Sequence, residues 1–193
     1  MRNFKIPGLC LLLAFLFIFV PGFSFSQETI VTETVYFGNG PLFSISIDIP
    51  GSIRIRDSGT IAQGAYMLQL NPVSGEKLIM LVTILRNQSN EVPSRQNFNE
   101  MVNERAQSIL PQAVENEASY HDVSVEGGFG RYFTLTDASL VNTTPAPDDY
   151  LFVTSYHAYY EKGYFIIATL LTDELDSENY KHMLNALLSI RIL

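Results

Sequence analysis

The sequence predicts an α+β fold, with a central, mostly antiparallel sheet flanked by helices on both faces in a three-layer α/β/α sandwich. Three observations carry that expectation. Two stretches, KLIMLVTILR (Lys77 to Arg86) and YFIIATLL (Tyr164 to Leu171), are apolar on both alternating faces, as a strand must be in mid-sheet with cover on each side. Two further stretches repeat apolar residues at helical spacing and can supply that cover. The connections between strands are short, which pairs neighbours antiparallel.

The chain opens with a targeting segment. Arg2 and Lys5 give a basic start, Leu9 to Val20 is unbroken apolar sequence, and Pro21-Gly22 ends it. Ser24-Phe25-Ser26 puts small residues where a signal peptidase cuts, so residues 1–26 read as a cleaved secretory signal peptide and residues 27–193 as one domain. The apolar run is shorter than the ~20 residues a spanning helix needs. The expectation is an exported protein, periplasmic or secreted, with no stable membrane insertion after cleavage.

Cys10 is the single cysteine and leaves with the signal, so the mature chain is expected to lack disulfides, thiolate metal sites and a cysteine nucleophile. Losing Arg2 and Lys5 takes the formal charge from −8 to −10. An acidic surface argues against nucleic acid, whose phosphates require clustered Lys and Arg.

Beyond the signal, Glu28 to Phe37 is rich in Thr, Val and aromatics and predicts a first strand. Asn39-Gly40-Pro41 is a turn. Phe43 to Ile49 alternates Phe43, Ile45, Ile47 and Ile49 with Ser44, Ser46 and Asp48, a half-buried strand. Pro50-Gly51 turns the chain, Ile53 and Ile55 resume the alternation, and Asp57-Ser58-Gly59 closes the unit. Ala65 to Leu70 is a strand, followed by the two-faced strand at Lys77. Ser94 caps a helix carrying Phe98, Met101, Val102, Ala106, Ile109 and Leu110, which Pro111 ends. Tyr120 to Val125 and Arg131 to Thr136 are strands joined through Glu126-Gly127-Gly128-Phe129-Gly130. After an Asp- and Pro-bearing loop comes a hairpin, Tyr150 to Tyr160 and Tyr164 to Leu171, turning at Glu161-Lys162-Gly163. Asp176 caps a second helix with a stripe of Tyr180, Met183, Leu184, Leu187 and Leu188, and Ser189 to Leu193 is a tail.

Catalytic motifs are missing. GGFG (Gly127 to Gly130) lacks phosphate-loop spacing and precedes a strand where a phosphate cradle needs a helix N-terminus, so it reads as a hairpin turn. His121, His157 and His182 form no metal-ligand spacing. His121 and Asp122 point to opposite faces of a strand, and His182 is spaced to pair with Glu178 on its helix. There is no GxSxG elbow. The acidic run from Asp173 to Glu178 departs from calcium-loop spacing and suits a helix N-terminus instead. No cofactor or metal is expected. Asn87-Gln88-Ser89 and Asn142-Thr143-Thr144 fit the glycosylation sequon.

Tyrosines crowd one hairpin: Tyr150, Tyr156, Tyr159, Tyr160 and Tyr164. Sharing an exposed face, Tyr156, His157, Tyr159 and Tyr160 would make a recognition surface; alternating into the core, they would pack.

The IDIP strand end (Ile47 to Pro50), the YFTLTD strand (Tyr132 to Asp137) and the LLSIRI ending (Leu187 to Ile192) resemble the PsbP-like and Mog-type α/β/α sandwich, a group that includes DcrB-type bacterial envelope proteins. That resemblance covers nearly all of the mature chain in layout and implies a non-catalytic binding or accessory role. It carries over no binding residue. The expected function is a small exported protein that binds an envelope or secreted protein. The alternatives are a hydrolase whose site forms only in three dimensions around His157 or His121, and a chaperone that shields apolar segments of secreted clients.

Overall fold

Alternation along FSISIDIP drives Phe43–Pro50 (β2) to bury one face, and it pairs antiparallel with Ile30–Phe37 (β1) on one side. On its other side lies Arg191–Ile192 (β10), formed from the expected C-terminal tail. The computed structural model describes residues 28–37, 43–87, 91–144 and 146–193. The signal-peptide reading of residues 1–26, the start at Gln27, the Asn39-Gly40-Pro41 turn and two residues of the first sequon lie outside them.

At Gly51-Ser52 the chain leaves this three-stranded sheet for a second one. Ile53–Ala62 (β3), Ala65–Pro72 (β4), Leu78–Arg86 (β5), Tyr120–Val123 (β6), Gly128–Thr136 (β7), Phe152–Tyr160 (β8) and Tyr164–Thr172 (β9) form a seven-stranded sheet in the order β3-β4-β5-β9-β8-β7-β6. All its described pairings are antiparallel. β3 continues through Asp57-Ser58-Gly59, where the sequence suggested an end, because a register shift between Ile55 and Asp57 rephases the strand against β4. The β8–β9 hairpin turns at Gly163, whose φ of 80° suits a residue without a Cβ. β9 is the middle strand of the seven.

Among the described residues two helices complete the fold. Arg95–Ile109 (α1) is capped by Ser94, whose Oγ accepts from the Asn97 N–H at 3.1 Å, and a 3-10 turn at Leu110–Gln112 ends it at Pro111. Glu178–Leu188 (α2) is capped by Ser177, one residue beyond the expected Asp176.

The inner face of the large sheet meets the small sheet together with α2. Leu68, Leu70, Met80, Val82, Ile84, Ala168 and Leu170 pack there against Ile45, Ile47, Met183 and Leu187. Phe37, Phe43, Tyr66 and Tyr164 stack at one end of this core with centroid separations of 4.4 to 5.5 Å. α1 lies on the outer face, where Phe98, Val102 and Ala106 meet Phe133, Leu135 and Tyr159.

The expected three-layer α/β/α sandwich is therefore wrong. The described residues are mostly β, built from two antiparallel sheets and two short helices, and a second sheet occupies a layer assigned to helices. The physical reason lies at Pro50-Gly51-Ser52. Alternation fixes that β2 and β3 are half-buried strands but not which sheet each joins, and the turn sends them to different ones.

Candidate docking surface

The tyrosine-rich strand lies under cover. Tyr156 is 1% exposed, Tyr159 2%, and His157 and Tyr160 4% each, so these four residues form no recognition surface. Along β8 they alternate between two cores. Tyr156 and Tyr160 join the inner one, where the Tyr160 hydroxyl donates to the Ile190 carbonyl at 2.8 Å. Tyr159 joins the core beneath α1.

His157 also faces α1, with Arg105 nearby and its ring parallel to that of Phe133. Burial, reinforced by Arg105, lowers its pKa to about 4, so it is neutral at physiological pH. Its Nε2 lies 3.0 Å from Ser155 Oγ, while Nδ1 is buried without a hydrogen-bond partner among the described residues. The tautomer with the proton on Nε2 leaves a bare lone pair stranded, not an N–H. His121 stacks on Tyr132 at 4.7 Å. Neither histidine pairs with a carboxylate among the described residues.

His182 does meet an acid, though not Glu178, which pairs instead with Lys181. His182 Nδ1 lies 2.8 Å from Glu28 Oε2 and 3.1 Å from Ser52 Oγ, and the Ser52 N–H donates to Glu28 Oε1 at 2.6 Å. Acid and hydroxyl share one ring nitrogen, which cannot pass a proton between them as a triad would. Burial pushes the Glu28 carboxyl up, but the Ser52 hydroxyl and amide and the His182 ring outweigh it and hold it low. The cluster pins the start of β1 to the sheet-changing turn and to α2.

The turn expected over Glu126 to Gly130 is confined to Glu126-Gly127, and Gly128, Phe129 and Gly130 already belong to β7. Gly127 has φ 62°, and a Cβ on Gly128 would lie 1.9 Å from the Tyr159 carbonyl oxygen. Among the described residues no three His, Cys, Asp or Glu side chains are placed to hold a metal, and no helix is long and apolar enough to cross a membrane.

The feature that sequence reasoning missed lies on the outer face of the large sheet. α1 is tied to its β6–β7 side: the Tyr120 hydroxyl donates to Asn103 at 2.8 Å, and Asp122 holds Arg131 at 2.6 Å and Arg95 at 3.8 Å. Apolar residues of β4, β5 and β9 on that face include Met67, Ile79, Leu81, Leu85, Ile167 and Leu171, while Phe165 beside them packs beneath α1. All six are only half-buried, and none packs against either core. Register makes them neighbours: Ile79 faces Leu171, Leu81 faces Thr169, and Thr83 lies between Ile167 and Met67.

The strip borders the strands that α1 covers. At one end Phe165 meets Asn97 and Pro93. At the other, Leu171 and Val153 open into a cavity of about 380 Å³ against Ile109, edged by Asp137, Asp148 and Asp149. Between the ends Arg105, exposed and without an ion-pair partner among the described residues, stands on the α1 flank near His157. The sequence signal for this face is present in the two-faced strands, but apolar residues on both faces do not say which element covers them.

The chain matches no protein-family model and no curated protein. The resemblance to PsbP-like proteins thus rests on the sequence features alone, and the reading of the site rests on its geometry.

Proposed function

We propose that the protein is a non-catalytic binding or accessory protein that docks a protein partner on the bare outer face of its seven-stranded sheet. The observation that carries this is the set Met67, Ile79, Leu81, Leu85, Ile167 and Leu171, interspersed with Gln69, Thr83 and Thr169, partly buried apolar side chains in mid-sheet that join neither core among the described residues. Export to the envelope or beyond is part of the proposal and is supported by the character of residues 1–26. The same bare face also favours a second reading, a chaperone that shelters apolar segments of secreted clients.

The test is site-specific photo-crosslinking in the cells that make the protein. A photoreactive residue at Leu81 or Ile167 is expected to give one discrete protein adduct, and the same residue at exposed Thr34 on the small sheet none. Equal labelling from all three positions, or none from Leu81 and Ile167, would refute the docking role. A broad smear of many adducts from Leu81 would favour the chaperone.

A further inference from the structure

A second site lies at the end of α1: we infer that the cavity beneath the 137–149 loop binds a small organic cation, an ammonium or guanidinium group carried on an apolar body. It shares Leu171 with the docking face and does not depend on the docking role.

The cavity itself makes the site. Its volume of about 380 Å³ falls within the range of small-molecule pockets. Its walls are tied down at both ends of the loop. The Asp137 N–H donates to the Leu151 carbonyl at 2.8 Å, and the Ala138 N–H to the Gln112 carbonyl at 3.0 Å. Glu115 accepts from the Thr136 N–H at 2.9 Å and from its hydroxyl at 2.7 Å. At the far end Lys77 donates to the Ala146 carbonyl at 2.8 Å, and Asp173 accepts from the Leu151 N–H at 2.9 Å. A cavity held in this way admits a ligand with little reordering of its own walls.

The lining then selects the ligand. Ile109, Leu135, Val153 and Leu171 give it an apolar floor, which an apolar body would remove from water. Its charged side chains are Asp137, Asp148 and Asp149, with no Lys, Arg or His among the described lining residues. Asp137 Oδ1 accepts from the Ser139 N–H at 2.8 Å and hydroxyl at 2.7 Å, and Asp149 Oδ2 from the Ala146 N–H at 3.2 Å. Asp148 has no partner among the described residues. Lys77, 5.2 Å from the Tyr150 ring centroid, does not neutralise these acids, because Asp173 already holds it at 2.9 Å. An anion would meet like charge here, and a neutral apolar molecule would take water from carboxylates without replacing it. A metal ion fits no better, since no three acidic or histidine side chains among the described residues are placed to hold one. An organic cation answers both floor and rim.

The test titrates the mature protein with 2-phenylethylamine, 3-phenylpropionate and methylamine while amide NMR signals are followed. The phenylethylamine should shift Ala113, Val153 and Leu171 saturably and leave Thr34 on the small sheet unmoved. The propionate and methylamine should each bind about tenfold more weakly, one lacking the charge match and the other the apolar body. Asp148→Lys, at an exposed position that the fold does not need, should lower the amine's affinity about tenfold and raise that of the propionate. A blocked Ala-Arg-Ala peptide separates the two sources of such a cation: tighter binding than the free amine assigns a protein side chain, and weaker binding a free amine. Equal shifts from amine and propionate, shifts of Thr34 as large as those of Leu171, no shifts at all, or an amine affinity unchanged in Asp148→Lys would each overturn the site. Crosslinking from Leu81 judges the docking role separately.

Discussion

On the outer face of the seven-stranded sheet two regions of similar apolar character meet different fates. Along one cross-strand row, Phe133, Ser155, Thr169, Leu81 and Gln69 lie side by side on β7, β8, β9, β5 and β4. Phe133 is 0% exposed and Ser155 2% beneath α1, whereas Thr169, Leu81 and Gln69 are only partly buried. The strands do not change character at this boundary. What changes is the supply of helix. α1 is about 22 Å long and one helix wide, so it can roof two or three strands of seven, and α2 is spent on the opposite face. The difference teaches that a strand apolar on both faces specifies burial without specifying the molecule that provides it.

The comparison can be broken most readily by the same kind of truncation on each side. Phe133→Ala, under α1, should cost about 3–5 kcal/mol by urea denaturation, as a cavity beneath a fixed roof does. A cost below about 1 kcal/mol would mean that α1 is not packed there.

The second effect is a pH dependence confined to the roofed side. His157 has a folded pKa of about 4 against an ordinary 6.5. The unfolded chain therefore takes up a proton that the folded one refuses. Stability should be full above about pH 6.5 and fall as pH drops towards 4, by roughly 3 kcal/mol over that window. Urea midpoints measured across this range should show the slope, and His157→Gln should flatten it. An unchanged slope in that variant would place the dependence elsewhere. The carboxyls of Glu28, Glu115 and Asp122, all held below their usual range, act lower in pH.

A smaller change loosens the roof. Ser94→Ala removes the hydroxyl that accepts from Asn97 N–H and should cost about 1 kcal/mol, with faster amide exchange in the first turn of α1. The smallest effect belongs to the bare side. Leu81→Thr should move stability by only about 0.5 kcal/mol while weakening partner binding, a separation that a core residue such as Leu70 would not give.

Much of the fold was legible in local sequence. Ser94, Pro111 and the spacing of Phe98, Val102 and Ala106 set α1 nearly to the residue, and β9 stands in mid-sheet as its two apolar faces required. The pairing of β1, β2 and β10 into a separate sheet was not, because a two-residue turn such as Gly51-Ser52 permits either a hairpin or a change of sheet. The same limit hid the site. Tyr156, His157, Tyr159 and Tyr160 drew attention as polar-tipped aromatics, yet β8 is the strand roofed on both faces. The side chains left bare are Leu81, Ile167 and their neighbours, whose identity alone says core. Only the positions of α1 and α2, a long-range outcome, distinguish them from Leu70 or Leu170.

The most direct measurement is methyl NMR of the mature protein with a soluble paramagnetic agent. The methyls of Ile79, Leu81, Ile167 and Leu171 should broaden well beyond those of Leu68, Leu70 and Leu170. If the Leu81 and Ile167 methyls stay as sharp as those of Leu70 in the free protein, the outer face is closed and the docking surface does not exist.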